Sequence, residues 1–212
     1  MVDQGVFATI KRKVCDLERE YQQTKGLILS ESDLKCLLFH KLFEDFSQST
    51  PTMNNHITAI ALHTEIPWYD RNDKLTLRPD ITILNPRYMS ILHGVSIERL
   101  PSKGFEFGGP TPVVIEVKFV KKKRGISKRD IKEFEKDAEK ILCLAERLNS
   151  EGRTYTLLGV MVIFNKTDQT CPEFSDFLEK YNDTPNLKII YGTGQVSFSN
   201  INSDIVPHSE HL

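Results

Sequence analysis

Val113-Val114-Ile115-Glu116-Val117-Lys118-Phe119 is a strand sequence with two charges set into it. β-Branched residues favour extended backbone, and side chains alternate along a strand. Val113, Ile115, Val117 and Phe119 therefore share one face, while Glu116 and Lys118 share the other. Charges in so apolar a run are costly unless they are paired or put to use. An ordinary same-face ion pair satisfies that condition. So does a working carboxylate beside an ammonium, and the flanking sequence bears on which of the two holds.

Downstream, the basic loop Lys121-Lys122-Lys123-Arg124 leads to Ser127 and Asp130, spaced as a capping box. Ile131, Phe134, Ala138, Ile141, Ala145 and Leu148 then recur at helical spacings, which predicts a long amphipathic helix. Tyr155 to Phe164 is almost wholly apolar, as expected of a central strand covered on both faces. Strand, helix, strand predicts a parallel pair with a right-handed crossover. Pro172 suits the first turn of a short helix reaching Tyr181, Leu187 to Tyr191 reads as a further strand, and Gln195 to Ser199 as a last one.

Upstream, Phe7, Ile10, Val14, Leu17 and Tyr21 line one face of an N-terminal helix stopped near Gly26. Ser30 and Asp33 cap a second helix with Leu34, Leu38, Leu42 and Phe46 along its stripe. Ala59 to Ile66 and Leu75 to Leu84 are β-prone runs around the polar turn Asp70-Arg71-Asn72-Asp73, and read as a hairpin. Asn85 to Pro110, rich in Gly, Pro, Ser and Arg, is too long for a connector and reads as an insertion. The expected fold is α/β, a mixed central sheet flanked by helices on both faces. Its parts are an N-terminal helical extension over 1–29, one domain over 30–194 carrying the 85–110 insertion, and a C-terminal strand and tail over 195–212.

A chain of 212 residues fits one such domain. With 28 basic and 29 acidic residues the formal charge is −1, so a polyanionic partner has to be attracted by a local cluster. No run approaches the roughly 20 apolar residues of a membrane helix, Met1 to Lys13 has no apolar run resembling a secretory signal, and a cytoplasmic location is expected. Cys15, Cys36, Cys143 and Cys171 form no Cys-x-x-Cys pair and read as reduced, mostly buried thiols. His40, His56, His63 and His93 lack metal-ligand spacing, and Gly125 to Lys128 lacks the glycine pattern of a phosphate loop.

Pro79-Asp80 opens the apolar end of the hairpin's second arm, with Asp80 on the opposite face from Ile81 and Ile83. If that arm neighbours the valine-rich strand, Asp80, Glu116 and Lys118 converge. One Asp, one Glu and a strand carbonyl such as that of Val117 meet the demand of Mg²⁺ for hard oxygen ligands. The lysine would orient or help deprotonate an attacking water and offset charge in the transition state. Two further acid-x-Lys triplets, Asp33-x-Lys35 and Asp130-x-Lys132, lie in predicted helices where the two side chains diverge.

Pro79-Asp80 together with Glu116-Val117-Lys118 resembles the PD-(D/E)xK nuclease superfamily, and the order of elements from about Ser30 to Tyr191 is similar too. The resemblance implies a restriction-endonuclease-like fold and metal-dependent hydrolysis of DNA phosphodiester bonds, as an endonuclease. Asp80, Glu116 and Lys118 would be catalytic. Mg²⁺, with Mn²⁺ as a substitute, would sit on Asp80, Glu116 and the Val117 carbonyl. DNA would be the partner, with RNA and a homodimer left open and no membrane involved. The Asp80 to Glu116 spacing is longer than in compact members. Such proteins often add an acid from the first core helix: Glu31 leads, Glu44 is second, and Glu65 on the hairpin is a third candidate. An acid in a first helical turn also simply suits the helix dipole. Lys121, Lys122, Lys123, Arg124, Lys128 and Arg129 are expected to grip phosphates, the bland alternative being a solvated face. Trp68 and Tyr69 could stack on bases or merely pack across the hairpin. The rival reading is a non-catalytic nucleic-acid-binding module or subunit on a nuclease-like scaffold.

Overall fold

The apolar stripes and β-branched runs become helices and strands in the computed structural model, which describes residues 4–54, 56–69, 75–91, 101–102, 105–150 and 156–195. In chain order the principal elements are α1 (Gln4–Gln23), α2 (Glu31–Phe46), β1 (Leu62–Thr64), β2 (Ile81–Ile83), β3 (Val113–Val120), α3 (Lys128–Ser150), β4 (Leu158–Asn165), α4 (Glu173–Asn182) and β5 (Leu187–Thr193). The five strands form one sheet in the order β5-β4-β3-β2-β1. β3, β4 and β5 run parallel, while β2 is antiparallel to both β3 and β1, so the sheet is mixed. All eight residues of β4 are buried, which is why its sequence shows no alternation.

Helices cover both faces. On one, α1 and α2 bury Ile10, Leu17, Leu34 and Leu38 against Ile81, Ile115, Val117 and Val162. On the other, α3 and α4 bury Phe134, Ile141, Phe174 and Phe177 against Val114, Met161 and Ile163. Each fully buried leucine of α2 contributes roughly 1.5–3 kcal/mol of transfer free energy. α1 shares this core: Ile10, Val14, Leu17 and Tyr21 are as buried as the strands beneath them.

Ser30 caps α2 by accepting from the Asp33 N–H, and the Asp33 carboxylate accepts from the Ser30 N–H. At α3 the Ser127 N–H and hydroxyl both donate to Asp130. The hairpin forms in two pieces. Leu62–Thr64 pairs with Ile81–Ile83, and Trp68–Tyr69 with Leu75–Leu77. Between them Pro67 and Pro79 lack an N–H for the ladder, and Glu65 turns to φ +53°. The insertion holds a 3₁₀ turn at Pro86–Tyr88 and a small sheet of Met89–Ser90, Phe105–Phe107 and Pro101–Ser102. Met89 and Phe107 are buried in the α3-side core. Residues 92–100, and all but Gln195 of the strand expected at 195–199, lie outside the described residues.

One expectation is overturned here, and the alternative left open for Trp68 is settled in favour of packing. All four thiols are free, but Cys36 and Cys143 are exposed and Cys15 and Cys171 only half-buried; the first three lie beside the apolar stripes of their helices, and Cys171 precedes α4 and packs against the edge of the α3-side core. Trp68 is fully buried among the α3-side hydrophobics and cannot stack on a base. No described helix is long and apolar enough to cross a membrane.

Candidate active site

β3 is eight residues long, yet only Val113, Val114 and Ile115 pair with β2, because β2 begins at Ile81 just after Pro79-Asp80. The β2-facing edge of β3 therefore continues past its partner. Its next two outward N–H groups are taken by carboxylates: Val117 donates to Asp80 Oδ2 at 2.9 Å, and Phe119 donates to Glu31 Oε2 at 3.2 Å. Continuing the β2–β3 register by one step sets Asp80 opposite Glu116. The N–H and C=O of one strand residue leave by the same edge, so the Val117 carbonyl emerges on the Asp80 side.

Glu116 and Lys118 lie side by side on the face toward α3, with Lys118 Nζ 2.9 Å from Glu116 Oε1. Asp137 of α3 meets the same ammonium at 2.8 Å and also holds Lys140 at 2.7 Å. Burial pushes the Glu116 carboxyl above its ordinary range, Lys118 opposes this, and the charges of Asp80 and Asp137 add to the rise. For Lys118, burial disfavours the charge, but Glu116 and Asp137 outweigh it and hold the ammonium firmly protonated. Asp137 is likewise disfavoured by burial, yet Lys118 and Lys140 bring its carboxyl below the usual range. Lys35 of α2 reaches across to Glu65 at 2.6 Å and lies 3.7 Å from Asp80. Its hydrogen bond to Glu65 raises the Lys35 pKa and lowers that of Glu65.

Asp80, Glu116 and Lys118 are thus gathered at one strand edge, with Glu31 and Glu65 at its rim. Glu44 is elsewhere, tied to Lys13 between α1 and α2. Five carboxylates (Asp80, Glu116, Glu31, Glu65, Asp137) stand with four cationic side chains (Lys35, Arg78, Lys118, Lys140), a formal excess of one negative charge. The donors are all oxygen, which fits a hard divalent cation that retains several waters. Among the described residues no three acidic, histidine or cysteine side chains already stand together as a ligand set. A cation here would rest on Asp80, Glu116 and the Val117 carbonyl, with water completing the shell.

The basic loop after β3 is pinned by Gly125, whose φ of +66° and lack of side chain let the backbone pass the Gln169 carbonyl; an added Cβ would lie 1.8 Å from that oxygen. Within the run, Lys122 is engaged by Asp130 at 2.7 Å and Lys128 by Glu173. Lys121, Lys123, Arg124 and Arg129 are exposed and form no ion pair among the described residues.

Lys35 and Asp137 are site residues that the strand motif does not reveal. Lys35 belongs to the helical Asp33-x-Lys35 triplet, and the divergence of its two side chains is what brings it here: Asp33 turns back to cap the helix while Lys35 turns to the sheet. Asp137 leaves a signal as an acid three residues after Phe134 and four before Ile141, inside the apolar stripe of α3.

No family model matches this chain, and no curated protein and no solved structure matches it.

Proposed function

We propose that the protein is a metal-dependent nuclease of the PD-(D/E)xK type, with a restriction-endonuclease-like fold, that hydrolyses DNA phosphodiester bonds as an endonuclease. The observation that carries this reading is the place of Asp80 opposite Glu116-x-Lys118, where β2 leaves the edge of β3. A divalent cation such as Mg²⁺ or Mn²⁺ would lower the pKa of a bound water and offset charge on the scissile phosphate. Asp80 and Glu116 would hold the cation beside the exposed strand edge. Lys118, kept protonated between two carboxylates, would direct an ammonium donor at the phosphate or at the attacking water. That electrostatic part suits its raised pKa better than proton abstraction does. The exposed Lys121, Lys123 and Arg124 follow directly on β3 and would bind flanking phosphates.

The test is incubation of the purified protein with supercoiled plasmid, linear duplex and single-stranded DNA and RNA, each with Mg²⁺, Mn²⁺ or EDTA. Cutting of DNA that requires the metal and is stopped by EDTA is expected. Nucleic-acid binding with no cleavage of any substrate would replace this reading with that of a non-catalytic binding module.

A further inference from the structure

Of the three central groups, Lys118 alone forms an ion pair with a helix of the α3 face among the described residues. Its ammonium has three hydrogens to donate. Glu116 takes one at 2.9 Å and Asp137 another at 2.8 Å, which leaves one donor among the described partners. All three side chains are largely buried, with exposures of 14% for Glu116, 16% for Lys118 and 18% for Asp137. An ammonium so placed is stable only while it has a carboxylate beside it. Only Oε1 of Glu116 is on Lys118, and a cation shared with Asp80 that draws on this carboxylate competes for the charge that balances the lysine. If Glu116 were the sole partner, cation binding would leave the buried ammonium with a weakened counter-charge.

We propose that Asp137 is the anchor that keeps the Lys118 ammonium in place when Glu116 turns to a divalent cation. It would thereby act as a positioning residue of the site, and the inference rests on the nuclease reading above. Its position follows from the fold. α3 returns across the face of β3 with Phe134, Ala138 and Ile141 buried, and Asp137 occupies that same inward surface at the level of Lys118. Lys140, three residues further on, pairs with the other oxygen of Asp137 at 2.7 Å and is itself more than half exposed. The arrangement also lowers the cost of cation binding, because the lysine does not have to be displaced into solvent.

The experiment is calorimetric titration of Mn²⁺ into the full-length protein and its Asp137→Asn variant, with cleavage kinetics on plasmid DNA beside it. Weaker Mn²⁺ binding and a lower kcat, each by roughly 10- to 100-fold, are expected for the variant. KM for DNA should stay unchanged and Asp137→Glu should recover part of both losses. A folded Asp137→Asn protein with wild-type Mn²⁺ affinity and kcat overturns the inference and leaves Asp137 as a tie between α3 and β3. A measurement on the wild type guards against a variant that fails to fold. The Lys118 ammonium resonance should remain ordered when Mg²⁺ saturates the protein, and its loss on adding Mg²⁺ overturns the anchor role. Wild-type protein that neither binds Mn²⁺ nor cleaves removes the nuclease reading and this inference together, whereas wild-type activity with an indifferent Asp137→Asn removes the inference alone.

Discussion

Glu116 is held where its charge is costly, since burial raises its carboxyl pKa despite the lysine at 2.9 Å. A group whose folded pKa is raised favours folding most when protonated, and that contribution is lost as pH rises through the folded value. Above that value the ionised carboxylate works against the fold. Glu116→Gln keeps the shape without the charge, and Lys118 keeps Asp137. At pH 8 the variant should melt no lower than the wild type, while cleavage falls by at least about 100-fold. Asp80→Ala should lose cleavage to a similar degree, with DNA binding close to normal. A Glu116→Gln melting temperature several degrees below the wild type, with cleavage retained, would instead mark the Glu116–Lys118 pair as structural. Polar groups kept at a cost in stability are expected where function needs them.

Between elements, a second buried carboxylate links α1 to the edge of the sheet. Glu18 accepts from the Thr193 N–H at the end of β5 at 2.7 Å, and burial pushes its pKa up to about 7 although that hydrogen bond opposes the rise. Relative to an ordinary value of 4.5, the shift amounts to about 3 kcal/mol. Its sign is that of a raised acid: the contribution is complete below pH 4.5, declines between there and about 7, and is gone above. Glu18→Gln should therefore match the wild type near pH 5 and be the more stable of the two at pH 8, as read from urea unfolding at both pH values. A stability difference between the two that does not change with pH would show that Glu18 is not titrating in the folded protein. Elements like α1, α3 and β4 were legible because their signals are local: stripes at helical spacing, a capping Ser and acid, a continuous apolar run. Glu116 and Lys118 were legible for the same reason, since alternation on a strand puts them on one face without knowledge of any neighbour. What depends on a partner was not. Asp137 and Lys35 join the site only through the docking of α3 and α2, Trp68 is buried by elements distant in sequence, and the hairpin breaks in two where Pro67 and Pro79 interrupt its ladder.

Over the whole molecule the charges nearly cancel, at a formal −1, so attraction to a polyanion depends on where they sit. The site end of β3 carries an excess of carboxylates, and the loop that leaves the same strand carries Lys121, Lys122, Lys123 and Arg124. The proposed cation site and the proposed phosphate contacts would thereby follow one another along the chain, from the end of β3 into the loop that leaves it. Neutralising a duplex phosphate releases condensed counterions, and log affinity falls with log salt at about −0.9 per phosphate contacted. Four residues in the run set an upper limit, but Lys122 is already drawn to Asp130 at 2.7 Å, and a cation held by an acid contributes less to counterion release. Replacing all four with Ser should make the slope shallower by roughly three rather than four, and replacing Lys122 alone should change it by well under one. Mn²⁺ affinity should hardly move, because the loop contributes no oxygen ligand. The check is duplex binding by fluorescence anisotropy across a salt series. A quadruple variant with the wild-type slope would show that this loop is only a solvated surface, and the phosphate contacts would then have to lie elsewhere on the molecule.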